Sequence, residues 1–195
     1  MKTFYLSLVV LFLAASTLTA QDFSYGAIGG VNFSKIENLG GSGIEENRLG
    51  FHLGGVVEIP FAEKWSYEGS LLYSVEGEDF ENSAGTDINV KLQYLNVPLQ
   101  FKYYAYQDFS IHFGPQIGFL LKGEQSVGDA DAVEIENTVN TSFAGTIGFG
   151  YDLRAHDLYF KSTFTYGFTD ILDNQSTEDS FQLPGTLHVS VGYKF

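Results

Sequence analysis

No cysteine occurs anywhere in the chain. Disulfide staples, thiolate metal ligands, a cysteine nucleophile and a lipid-modified N-terminal cysteine are therefore all excluded. Basic residues are scarce: 10 Lys and Arg stand against 24 Asp and Glu, a formal charge of −14. This balance argues against nucleic acid and anionic lipid surfaces as partners. Beyond residue 20 no apolar run approaches the ~18 residues of a membrane-crossing helix, which excludes a helical membrane protein. Methionine and tryptophan occur once each, whereas there are 22 Gly, 18 Phe and 12 Tyr. Glycine and aromatics at this level, without low complexity, point to many short strands.

The opening MKTFYLSLVVLFLAASTLTA has a basic start at Lys2, an apolar run from Phe4 to Ala15, and small or hydroxyl residues up to Ala20. This is the pattern of a secretory signal peptide. The run is too short to cross about 30 Å of hydrocarbon at 1.5 Å per residue. Cleavage after Ala20 is expected, leaving residues 21–195 as one domain.

From Phe23 onward a period of two recurs in eight segments, near 23–33, 49–59, 65–76, 94–104, 109–122, 142–151, 158–168 and 186–195. In the fourth, Leu95, Val97, Leu99, Phe101 and Tyr103 alternate with Asn96, Pro98, Gln100, Lys102 and Tyr104. Just before it, Val90, Leu92 and Tyr94 have the opposite parity, and a β-bulge near Tyr94 and Leu95 is expected to reconcile the halves. A bulge or local disruption is also expected to accommodate Pro98, which forfeits a ladder bond. The apolar positions carry no charge, whereas Glu58, Glu68, Lys102, Lys122, Lys161 and Lys194 all fall on the polar face.

A soluble sandwich also alternates, but two features favour a membrane barrel. Short turns (PFAEK, AYQD, DLRAHD) alternate with long acidic connections around 34–48, 77–89, 124–140 and 169–185, as in outer-membrane barrels. Outward aromatics Tyr25, Trp65, Tyr67, Tyr103, Phe109, Tyr151, Tyr193 and Phe195 gather toward the short-turn end, forming an interfacial girdle. The expected fold is all-β: an eight-stranded antiparallel up-and-down transmembrane β-barrel, with both termini periplasmic and four acidic loops outside.

Such a barrel is just wide enough for side chains to fill. The six inward charges are therefore expected to form a structural lumen network, with Lys102 neutralised by Glu58 or Glu68. His52 and His188 face inward, but no distinctive nucleophile motif accompanies them, so no catalytic residue is expected. His112 and His156, toward the other end, read as structural or exposed. In GDADAVEIE, Asp129, Asp131, Glu134 and Glu136 lack the spacing and the glycine of a calcium loop. No metal site and no cofactor are expected. Glycine pairs such as Gly148 and Gly150 lie inside strands, where close packing against aromatics is the better reading than a phosphate cradle.

YLNVPLQFKYY, FGPQIGFLLKGE, IGFGYDL, FTYGFTDIL and the terminal VSVGYKF resemble the PorT-like outer-membrane β-barrel family, the porin family proteins of Bacteroidetes, over residues 21–195. The resemblance implies residence in the outer membrane of a Gram-negative bacterium and insertion by the barrel-assembly machinery. Val189, Val191, Tyr193 and Phe195 would be the recognition signal for that machinery. The family has no shared catalytic residues to carry over. The expected role is structural or interactive, with the bilayer as one partner and a protein or envelope component at the acidic loops as another. A narrow passive channel and a soluble carrier of lipocalin type are the alternatives.

Overall fold

The computed structural model describes residues 23–38, 45–81, 85–128, 130–135, 141–168 and 182–195. Residues 1–20, the expected signal peptide, lie outside this set, as do Asp129 and Glu136. Nine strands run in chain order: β1 Ser24–Asn38, β2 Glu45–Ala62, β3 Trp65–Glu81, β4 Asp87–Tyr106, β5 Phe109–Val127, β6 Val133–Glu134, β7 Thr141–Leu153, β8 Leu158–Gly167 and β9 Gln182–Lys194. Every neighbouring pair is antiparallel, and β1 pairs with both β2 and β9. Both β6 and β7 run antiparallel along the same side of β5, at its upper and lower parts, and so take one place in the wall. Among the described residues the wall thus closes with eight strands, as hydrocarbon requires, where an unpaired N–H or C=O costs several kcal/mol.

Alternation decides which way each face turns. Phe51, Leu53, Ile147, Phe149, Val189 and Val191 are exposed, while Ser74, Asn96, Gln100, Lys102, Ser110 and His112 are buried. This is inside-out relative to a water-soluble protein, and it overturns the soluble-carrier alternative, whose apolar face would point inward. At the short-turn end the aromatics pack in pairs: Trp65 with Tyr103 at 4.8 Å between ring centroids, Tyr193 with Phe195 at 5.3 Å, and Tyr25 with Phe195 at 5.7 Å.

The strands outrun the expected segments. β4 has 20 residues and β5 has 19, whereas a tilted strand crosses a bilayer in about 9–11. Pairing continues to Phe80↔Ile88 and Glu81↔Asp87, through stretches that read as loop because their alternation is polar. The long connections are correspondingly shorter than expected, and β2 to β5 project beyond the membrane as a paired sheet.

The expected bulge in β4 is absent. The inward faces of Leu92, Tyr94, Asn96, Pro98, Gln100 and Lys102 form one unbroken series of even-numbered positions. The irregularity at that level lies on the partner: Tyr94 pairs with Leu120 and Gln93 with Lys122, so Leu121 is the extra residue in β5. Around Pro98 the ladder to β3 has no paired residues between Gly69↔Leu99 and Leu72↔Asn96, yet the register is the same on both sides. Proline is thus accommodated by a local gap rather than a bulge.

The apparent parity reversal before Leu95 has a different cause, a change of solvent. Below this level the outer face meets hydrocarbon and the inner face is polar. Above it the outer face carries Lys91, Gln93, Lys122 and Glu124, while Leu92 and Tyr94 are buried inside with Val90, Leu120 and Ile135 packed on them. In β4 and β5 the projecting part therefore has the polarity of a water-exposed protein, and the switch marks the outer edge of the bilayer.

Candidate functional site

The lumen is built in layers, each supplied by inward positions of several strands. Nearest the short turns, three lysines meet three carboxylates. Lys102 Nζ lies 3.2 Å from Glu58 Oε2, 3.3 Å from Asp152 Oδ1 and 3.9 Å from Glu68 Oε2. Lys194 Nζ is 3.0 Å from Glu58 Oε2 and 2.6 Å from Asp152 Oδ2. Lys161 pairs with Glu68 and donates to Gln100 Oε1. The Tyr104 hydroxyl is 2.7 Å from Glu58 and 3.0 Å from Asp152. Glu58, Glu68 and Lys102 are all at most 5 % exposed, so each charge depends on its partners rather than on water. Beneath this layer, toward the short turns, a bowl of about 600 Å³ is lined by Trp65, Tyr104, Arg154 and Lys194, with Glu58 and Asp152 at its floor.

Of the six expected network members, Glu58, Glu68, Lys102, Lys161 and Lys194 are brought together here. Lys122 is not. Leu121, the extra residue of β5, reverses the parity beyond it and turns Lys122 outward, 47 % exposed, where it binds Glu124 Oε1 at 2.7 Å. The Lys122 ammonium, by this hydrogen bond, holds the Glu124 carboxyl below its ordinary range. Asp152 and Tyr104 complete the cluster and were missed as members. Asp152 continues the inward parity of Gly148 and Gly150, which was the available signal, but its position in DLRAHD made it read as turn.

The middle layer closes the barrel seam. Asn32 of β1 donates from Nδ2 to Ser74 Oγ at 2.8 Å and to the Val75 carbonyl at 3.2 Å. A carbonyl only accepts, so the amide orientation follows, and Oδ1 faces His52 Nδ1 at 2.6 Å and His188 Nδ1 at 2.8 Å. Both histidines must then donate from Nδ1. His52 Nε2 is left to accept from Ser190 Oγ at 2.8 Å. Gly30, opposite Ser190, makes room: a Cβ there would strike the Val189 carbonyl and lie 2.8 Å from the His52 ring. His112 is likewise buried, with Nε2 2.8 Å from Thr163 Oγ1, while His156 is exposed.

Ser190, His52 and Asn32 have the connectivity of a hydrolytic triad, an arrangement unseen in the sequence because its members lie on β9, β2 and β1. Access is what it lacks. Ser190 is 4 % exposed, and the neighbouring cavity of about 20 Å³ has room for little more than one water.

The upper layer holds Glu76, also missed as a site residue. Its Oε1 accepts from Ser74 Oγ at 2.8 Å and Asn96 Nδ2 at 2.9 Å, and its Oε2 from Thr186 Oγ1 at 3.4 Å. Directly opposite it in the ladder is Leu92, which with Tyr94, Leu120 and Ile135 forms a buried apolar group. Among the described residues no group of three or more His, Asp or Glu is placed to hold a metal ion.

The family described as "Outer membrane protein beta-barrel domain" matches residues 19–173. The chain belongs to that family. As an outer-membrane barrel it resides in the outer membrane of a Gram-negative bacterium, with the lipid bilayer against its apolar band. Two solved barrels share its architecture. Ail, the attachment invasion locus protein of Yersinia pestis, solved with the heparin analogue sucrose octasulfate, is 21 % identical with a TM-score of 0.54, covering 89 % of this chain and 99 % of Ail. Neisserial surface protein A is 12 % identical with a TM-score of 0.61, again covering 89 % of this chain and 99 % of the other. At these identities the likeness concerns the fold. No curated protein matches the chain.

Proposed function

We propose that this outer-membrane barrel is a non-conducting scaffold that presents its projecting sheet and acidic loops as an interaction surface. The observation that carries this reading is the filled lumen: the ion cluster of Lys102, Lys161 and Lys194 with Glu58, Glu68 and Asp152, and, at the other end, the apolar group around Leu92 and Tyr94. A solute would have to break both layers, and buried pairs cost about 3–5 kcal/mol to break one-sidedly. The same occlusion supports the absence of catalysis, because Ser190 has no route to a substrate.

The terminal alternation of Val189, Val191, Tyr193 and Phe195, all exposed on the lipid face of β9 or just beyond it, supports delivery by the barrel-assembly machinery. The resemblance of VSVGYKF and its companion motifs supports a place in the PorT-like branch. Planar-bilayer recording tests the central point. The scaffold reading expects no ohmic steps above background, and reproducible steps abolished by blocking the mouth would return the narrow-channel alternative.

A further inference from the structure

Two buried polar atoms of the middle layer have no protein partner among the described residues: His188 Nε2 and Thr165 Oγ1. Both residues are more than nine-tenths buried. They stand on neighbouring strands, because β8 pairs with β9 through Thr163↔His188 and Thr165↔Thr186. Thr165 and His188 are therefore diagonal neighbours on the inner face, a spacing of about 7–8 Å. Buried polar groups are rarely left unpaired, since each keeps the cost of its lost hydration.

Both side chains border one cavity of about 20 Å³. The cavity exists because facing inward positions are short, with Ser70, Pro98 and Ser190 on its lining. A water needs at least about 10–15 Å³, so one heavy atom fits and little more does. Chemistry narrows the occupant further. The His188 ring donates from Nδ1 to Asn32 Oδ1, so in the neutral ring Nε2 only accepts, and the occupant must donate a hydrogen. Lys161 lines the cavity too, and its ammonium directs hydrogens to Glu68 and Gln100, leaving a third to give. The occupant must therefore also accept. A metal cation would face that ammonium with no Asp or Glu on the lining, and an anion would face the His188 lone pair.

We infer that this cavity is the site of a single structural water that bridges His188 Nε2 and Thr165 Oγ1. The water donates to the imidazole, exchanges a hydrogen bond with the threonine hydroxyl and accepts from Lys161, about the three bonds usual for a buried water. It carries the seam network of Asn32 and His188 across β9 to β8, so that strands on both sides of the closing pair share one hydrogen-bonded unit. The inference rests on the reading of the lumen as filled, and names what fills its middle.

The test is a set of crystal structures of the full mature barrel, at a resolution that shows ordered water, for the unaltered protein, Thr165→Val and Thr165→Ser. The ¹⁵N resonance of His188 Nε2 is recorded for each in phospholipid nanodiscs. The bridge gives one density peak within hydrogen-bond distance of both atoms in the unaltered protein and in Thr165→Ser, and none in Thr165→Val. It also gives an Nε2 without hydrogen whose resonance moves downfield in Thr165→Val, as an accepted hydrogen bond is lost. A dry cavity in the unaltered protein would overturn the inference and leave the closed lumen standing. So would a peak undisturbed by Thr165→Val, or an Nε2 that carries its own hydrogen. A file of waters running on from the bowl to the mouth would overturn both the single site and the filled lumen.

Discussion

Tyr94 of β4 faces Leu120 of β5, while the preceding residue, Gln93, faces Lys122. That one-residue slip at Leu121 separates two environments. Below it Asn96 and Lys102 point into a polar lumen; above it Leu92 points into an apolar mouth, and lysine and glutamate face outward.

Two lysines of like sequence context should therefore behave differently. Lys102→Met leaves Glu58 and Asp152 to Lys194 alone, so that three buried carboxylates face two lysines, and is expected to cost about 3–5 kcal/mol. Lys122→Met should leave the unfolding midpoint unmoved. Urea unfolding in detergent micelles, read by tryptophan fluorescence from Trp65, makes the comparison.

The position of the bilayer edge predicts a depth profile along β4. Leu99→Arg, near mid-depth on the lipid face, should destabilise by about 2–4 kcal/mol, and Gln93→Arg, at the outer interface, by about 0–1 kcal/mol. Similar costs at both sites, measured by reversible folding into lipid vesicles, would place the edge elsewhere.

Asn32 joins the first wall strand to β2, β3 and the last strand through four hydrogen bonds. Asn32→Ala leaves two histidine donors buried and should cost about 1–3 kcal/mol. The associated serine should remain inert: a fluorophosphonate label on Ser190 in the folded protein would show that substrates reach it after all.

Glycine has two meanings in this wall. At Gly30 an added Cβ runs into the Val189 carbonyl and the His52 ring, whereas at Gly55 its nearest neighbour is 3.9 Å away. Gly30→Ala should therefore destabilise by about 1–3 kcal/mol through overpacking, and Gly55→Ala should stay within about 0.5 kcal/mol. Thermal shift of the two variants side by side is the check.

Strand number, closure and facing were legible because a period of two over ten residues, in a chain with short and long connections in turn, leaves few other solutions. Five of the six inward charges were legible for the same reason. Lys122 was misplaced because a single extra residue reverses parity and leaves no mark in composition. The reversal at Val90, Leu92 and Tyr94 was visible, but its cause lay in the solvent outside the strand, which periodicity alone does not encode. The Asn32, His52 and Ser190 chain joins residues up to 158 positions apart, and only the closing pair β1–β9 brings them together.

The absence of native cysteine makes one measurement decisive for the orientation and solvent boundary of the whole account. A single cysteine is introduced at Ser126, near the top of β5, and in a second variant at Gln107, in the turn between β4 and β5. Intact cells are then treated with a membrane-impermeant thiol reagent. A barrel with its short turns in the periplasm gives labelling at 126 and none at 107 until the outer membrane is opened. Labelling at 107 alone, or recovery of the protein in the soluble periplasmic fraction, would contradict it.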